Sequence, residues 1–289
     1  MVLIQKLHIA CLCVWGILAI YSCDSSNKKK HYQNTDMYEL ANPKVIKLPE
    51  ELDEISGIAY YPKDTSVFAI VDEDGLLFKI PIKNPAAFRK WEFGKKKDYE
   101  DVVLIDSTFY VLVSNGNIET IRFIGDKLHT DKTDFSDETK QTTEFEAMYL
   151  DKDSGNLIIL CKACDADPKT SFSSYSYNLR DTSKLYSPYI VFNMSQLAQE
   201  SNMDKRLKAS AAAINPVTND LYIISSVLKL LVITDSKGAF KNVIKLDPVI
   251  YKQPEGIAFT PEGDLIISNE FGEEGFANLL ILKNKKKGK

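Results

Sequence analysis

Three glutamates, Glu100, Glu146 and Glu255, stand at the same point of a stretch that recurs along the chain, and Ser56 and Ser210 hold that point in two further copies. Each is followed by a small or short residue and then an apolar run: Ser56-Gly57, Glu100-Asp101, Glu146-Ala147, Ser210-Ala211, Glu255-Gly256. If the copies are set in a ring, the three carboxylates converge. Such groups repel unless a cation or raised pKa values relieve them. An oxygen-only set suits a hard cation, and Ca²⁺ accepts irregular shells of six to eight oxygens, waters included. Asp101 adjoins the set, and polar residues end the following runs: Asp72 and Glu73, Ser114 and Asn115, Ser225 and Ser226, Asn269 and Glu270. The competing account is that each glutamate caps a turn or pairs with a nearby Lys or Arg.

The stretch that must position these residues is clearest at Gln253 to Glu270, QPEGIAFTPEGDLIISNE. Short apolar runs bounded by Gly, Pro and Asp predict strand–turn–strand. The spacings between copies are 44, 46, 64 and 45 residues, the long interval holding an insertion at Ser195 to Lys208. Each copy carries a third predicted strand, and four carry a fourth. The last copy lacks its fourth, whereas an orphan strand at Lys44 to Leu48 precedes the first. The economical solution is an all-β, five-bladed β-propeller over residues 44–283, closed by the N-terminal strand completing the last blade. A sixth blade stays open if the insertion hides a degenerate unit. A β-sandwich is the rival, but it predicts no 45-residue period.

Other chemistry is thin. No G-x-S-x-G, H-E-x-x-H or phosphate-cradling Gly loop occurs. Cys161 and Cys164 have Cys-x-x-Cys spacing without the second half of a zinc site, and read as a local disulfide or two free thiols. Asp151-Lys-Asp153-Ser-Gly155 reads as an Asx-type turn before a calcium loop. Lys162 is the one basic residue among the second-run ends. With no nucleophile or placed general base, the residues favour binding over catalysis.

Residues 1–22 read as an export signal: Lys6, then an apolar run from Leu7 to Ile20, shorter than a membrane span. Ala19-Ile-Tyr-Ser-Cys23 resembles the lipobox of bacterial lipoproteins, with Tyr21 bulkier than that pattern prefers. The resemblance implies acylation of Cys23, attachment to a membrane through that lipid, and an extracytoplasmic place in the cell envelope. Residues 23–43 would then be the lipidated cysteine and a polar tether, and residues 284–289 a basic tail. Removing Lys6 moves the formal charge from −4 to −5. No basic stripe interleaved with aromatics exists, so nucleic acid is not expected as a partner.

The motifs Glu54 to Ala59 (EISGIA), Phe145 to Met148 (FEAM) and Pro254 to Phe259 (PEGIAF) resemble the SdiA-regulated family, extracytoplasmic bacterial propellers distantly similar to NHL-repeat proteins. The resemblance spans roughly Lys44 to Lys283. It implies a five-bladed propeller with a bound calcium ion and no established activity. Carried over by position, the calcium would be held by Glu100, Glu146 and Glu255, while Ser56 and Ser210 depart from a full glutamate ring. An unknown protein or small-molecule ligand at the mouth is the implied partner. Calcium-dependent hydrolysis of a lactone or phosphoester is the alternative.

Overall fold

The computed structural model describes residues 32–125, 127–135, 143–168, 170–181, 186–195, 207–272 and 275–286. The export signal, Cys23 and most of the Ser195–Lys208 insertion lie outside the described residues. The described residues form five antiparallel four-stranded sheets.

The first blade is β2 (Ile55–Tyr61), β3 (Ser66–Val71), β4 (Leu76–Pro81) and β5 (Arg89–Glu92). The second is β6 (Tyr99–Ile105), β7 (Thr108–Val113), β8 (Ile118–Ile124) and β9 (Lys127–Thr133). The third is β10 (Thr143–Asp151), β11 (Asn156–Cys164), β12 (Ser171–Tyr177) and β13 (Tyr186–Asn193). The fourth is β14 (Ala211–Ile214), β15 (Leu221–Ser225), β16 (Leu230–Thr234) and β17 (Phe240–Lys245). The fifth is β18 (Pro254–Phe259), β19 (Leu265–Asn269) and β20 (Asn278–Leu282), completed by β1 (Lys44–Lys47), which pairs with β20. The inner strands β2, β6, β10, β14 and β18 contact one another in that order and close back on β2, so the sheets make a five-bladed propeller.

Both faces of a blade pack against neighbours, so the middle strands lose alternation and read as apolar runs. All five residues of β16 are buried, as are all six of β3, while the outer strand β5 is mostly exposed. The core is accordingly five clusters, one at each blade–blade interface. Among the described residues no helix is long and apolar enough to cross a membrane.

The chain before β1 does more than a tether would. Tyr38 is wholly buried between the fourth and fifth blades, donates its hydroxyl to Gly263 O at 2.6 Å and accepts from Asn215 Nδ2 at 2.9 Å. Thr35 Oγ1 accepts the backbone N–H groups of Met37 and Tyr38, and Tyr251 donates to Leu40 O. Lys285, at the start of the basic tail, donates its backbone N–H to Met37 O. Packing thus extends the folded unit outward from residues 44–283 at both ends. Gly263 and Asn215 sit in the β18–β19 and β14–β15 turns, so residues 35–38 and Lys285 meet the propeller at the face these turns form.

Candidate functional site

The opposite face holds the repeat glutamates, and a β-bulge presents each of them. Tyr99 pairs with Val113 and Asp101 with Leu112, which leaves Glu100 as the extra residue. Glu146 is extra between Phe145 and Ala147, Glu255 between Pro254 and Gly256, and the Ser56-Gly57 step falls in the equivalent shift of the first blade. A bulged residue is freed from its ladder and re-aimed, which is how one column of the repeat turns toward the mouth. The step behind it is tightly packed: a Cβ added to Gly57 would lie 2.5 Å from Asp101 Cα, and one added to Gly256 would lie 2.6 Å from Ser56 O. Below the bulges lies a cavity lined by residues of all five inner strands, among them Ile58, Val102, Met148, Ala212 and Ile257.

Asp101 does not face the mouth as a ligand. It is buried, with Oδ1 accepting from Val102 N at 2.8 Å and Oδ2 from Met148 N at 2.7 Å, so it staples the second blade to the third. Ser268 Oγ, donating to Ser56 O, does the same between the fifth and first. Asp151 accepts from the backbone of Asp153 and Ser154 and from Tyr189, and so forms the expected turn.

The mouth is electrostatically crowded. Burial pushes Glu100 up to about 8; Lys162 pulls it down, and Asp72, Asp98 and Glu255 push it up again. Glu270 is pushed up to about 7 by burial and by Glu255, Asp72 and Glu54. Asp72 is raised by burial, then by Asp98, Glu54 and Glu73. Glu255 is raised by burial, against hydrogen bonds from Ser226 and Ser210 and the charges of Lys162 and Lys229. Glu100 and Glu255 thus act on each other across blades. Glu146 differs: it forms an ion pair with Lys162, whose Nζ also lies 3.1 Å from Glu144 Oε1.

Three members of this mouth, Glu54, Asp98 and Glu144, were not singled out by the repeat column. Each lies two residues before its column position, at 56, 100 and 146. Lys208 and Gln253 fill the same place in the other copies, and Gln253 Nε2 donates to Glu270 Oε2 at 3.1 Å.

As a host for a hard cation the donors are apt: carboxylates, hydroxyls and amides. Ser225 Oγ and Asn269 Oδ1, at the ends of β15 and β19, are buried without a partner among the described residues. Cys161 and Cys164 form a disulfide with a Cα–Cα separation of 5.8 Å, so the pair is bonded rather than free.

A family model described as SdiA-regulated matches residues 33–272. No curated protein matches the chain. Among solved structures, Myxococcus xanthus glutaminyl cyclase is similar at 12% identity and TM-score 0.57, covering 83% of this chain and 94% of that one. A luciferin-regenerating enzyme is similar at 12% identity and TM-score 0.51, covering 85% and 96%. The PQQ-bound aldose sugar dehydrogenase of Streptomyces coelicolor is similar at 11% identity and TM-score 0.50, covering 85% and 99%. At such identities these likenesses show the fold alone.

Proposed function

This chain belongs to the SdiA-regulated family, and on that footing we propose that it is a calcium-binding propeller whose acidic mouth presents a small-molecule or protein ligand site. The observation that carries the reading is the β-bulge that sets Glu100, Glu146 and Glu255 at one end of three blades, where Asp72, Glu100, Glu255 and Glu270 are all raised and Lys162 and Lys229 only partly offset their charges. Glu100, Glu146 and Glu255 would hold the ion, which would neutralise the mouth and polarise an oxygen of a bound ligand. The same reading puts the protein in the cell envelope, outside the cytosol, anchored to a membrane by lipid on Cys23. The Cys161–Cys164 disulfide supports that compartment, because such bonds persist in oxidising surroundings.

The test is thermal unfolding of the full chain in detergent, with calcium or with chelator. Near 100-fold saturation a site adds about 2.7 kcal/mol, roughly 5–10 °C for a domain of this size. Wild type should gain that shift and Glu255→Gln should lose most of it. No shift in either sinks the reading.

The raised pKa of Glu100, about 8, favours one second reading, a calcium-dependent hydrolase of a lactone or phosphoester. A carboxyl titrating near neutrality is suited to move a proton during such a reaction. Turnover that needs calcium and vanishes in Glu100→Gln would support it. Purified protein that turns over neither substrate class would end it.

A further inference from the structure

Lys162 is the feature of the mouth that the calcium reading leaves unexplained. It is one of only two residues between the disulfide-bonded cysteines. The register of β10 and β11 skips it as well: Glu144 pairs with Ala163 and Phe145 with Cys161, so Lys162 and Glu146 bulge toward each other on facing strands. Its side chain is 21% exposed and Glu146 is 12% exposed, whereas Glu144, its second partner, is 44% exposed and lies at the rim. Its charge reaches beyond its own blade, drawing down Asp72 of the first, Glu100 of the second and Glu255 of the fifth. Lys229 acts on Glu255 as well.

We propose that Lys162 is a built-in cation of the mouth, clamped in place by the disulfide, and that an external divalent cation binds by displacing it from Glu146 toward Glu144. The proposal rests on the cation-binding reading above and specifies how that site discriminates. An entering ion must outbid an ammonium already paired at short range, which a compact divalent cation does and a monovalent one does not. Glu144 gives the displaced lysine a second carboxylate at the rim, so the exchange leaves no buried ammonium without a partner. The disulfide draws the two ends of the β11 bulge to a Cα–Cα separation of 5.8 Å, which restrains the backbone that carries the lysine.

Two measurements test it on the full chain in detergent. Calorimetric titration with calcium compares wild type, Lys162→Met and Glu144→Gln. Removing the competing ammonium should tighten calcium by about tenfold or more, and removing its rim partner should weaken it. In wild type, amine acylation of Lys162, followed by mass spectrometry, should quicken when calcium is added. That readout needs no variant to fold, and a lysine of merely structural role would not move it. Equal calcium affinity in wild type and Lys162→Met, or an unchanged acylation rate in calcium-bound wild type, overturns the exchange while the calcium site stands. Failure of both wild type and Lys162→Met to bind calcium removes the site itself and the exchange with it.

Discussion

The two faces of this propeller treat the same residue types in opposite ways. At the face of the β2–β3, β14–β15 and β18–β19 turns, three acids each pair with a lysine of the same blade: Asp64 with Lys79, Asp220 with Lys241, and Asp264 with Lys283. These partners lie 15, 21 and 19 residues apart and belong to one blade each. At the mouth, carboxylates from different blades crowd together, and Lys162 serves several of them. Local pairing settles charge within the blade. At the mouth the acids outnumber the lysines that act on them, and it is this surplus that the proposed cation would answer.

The largest effects are expected at two neighbours on β6, Asp101, held by backbone N–H groups in the core, and Glu100, turned to the mouth. Asp101→Ala strips the acceptors from two buried backbone N–H groups, and should cost about 3–5 kcal/mol in chemical denaturation. A loss below 1 kcal/mol would mean that Asp101 staples nothing.

Glu100→Gln should act with the opposite sign. A carboxyl raised from 4.5 to about 8 holds a proton in the folded chain that the unfolded chain has released. Between those pH values wild type should therefore lose stability as pH rises. The variant should flatten that slope and, after discounting for solvent, be on the order of 2 kcal/mol more stable than wild type at pH 8 without calcium. Calcium should bind more tightly as pH climbs through this window, since it competes with the proton. Equal slopes in the two proteins would show that Glu100 is not held protonated.

The smallest effect belongs to the far face. Lys79→Met removes a pair whose acid side chain is 46% exposed, and should change stability by about 0.5 kcal/mol or less. A cost of several kcal/mol would erase the contrast between the faces.

How much of this could be read in advance follows the same division. The blades announce themselves because a period near 45 residues, turn residues and an orphan strand resembling a missing one are all local or repeated signals. The glutamate column is a repeated signal too. The partnership of Lys162 with Glu100 and Glu255 is neither: it joins residues 62 and 93 positions apart through the axis, and no spacing encodes it. Tyr38 escaped for another reason, since Met37, Tyr38 and Leu40 are too few to show a period and their burial depends on the groove between two finished blades.

The docking of Thr35 to Tyr38 and of Lys285 beside the β18–β19 turn gives the molecule a handle and a working end. A label or reporter placed at Thr35 or Lys285 sits on the side of the paired lysines, away from the bulged glutamates. Held at those two points, the propeller offers its mouth to whatever is passed over it.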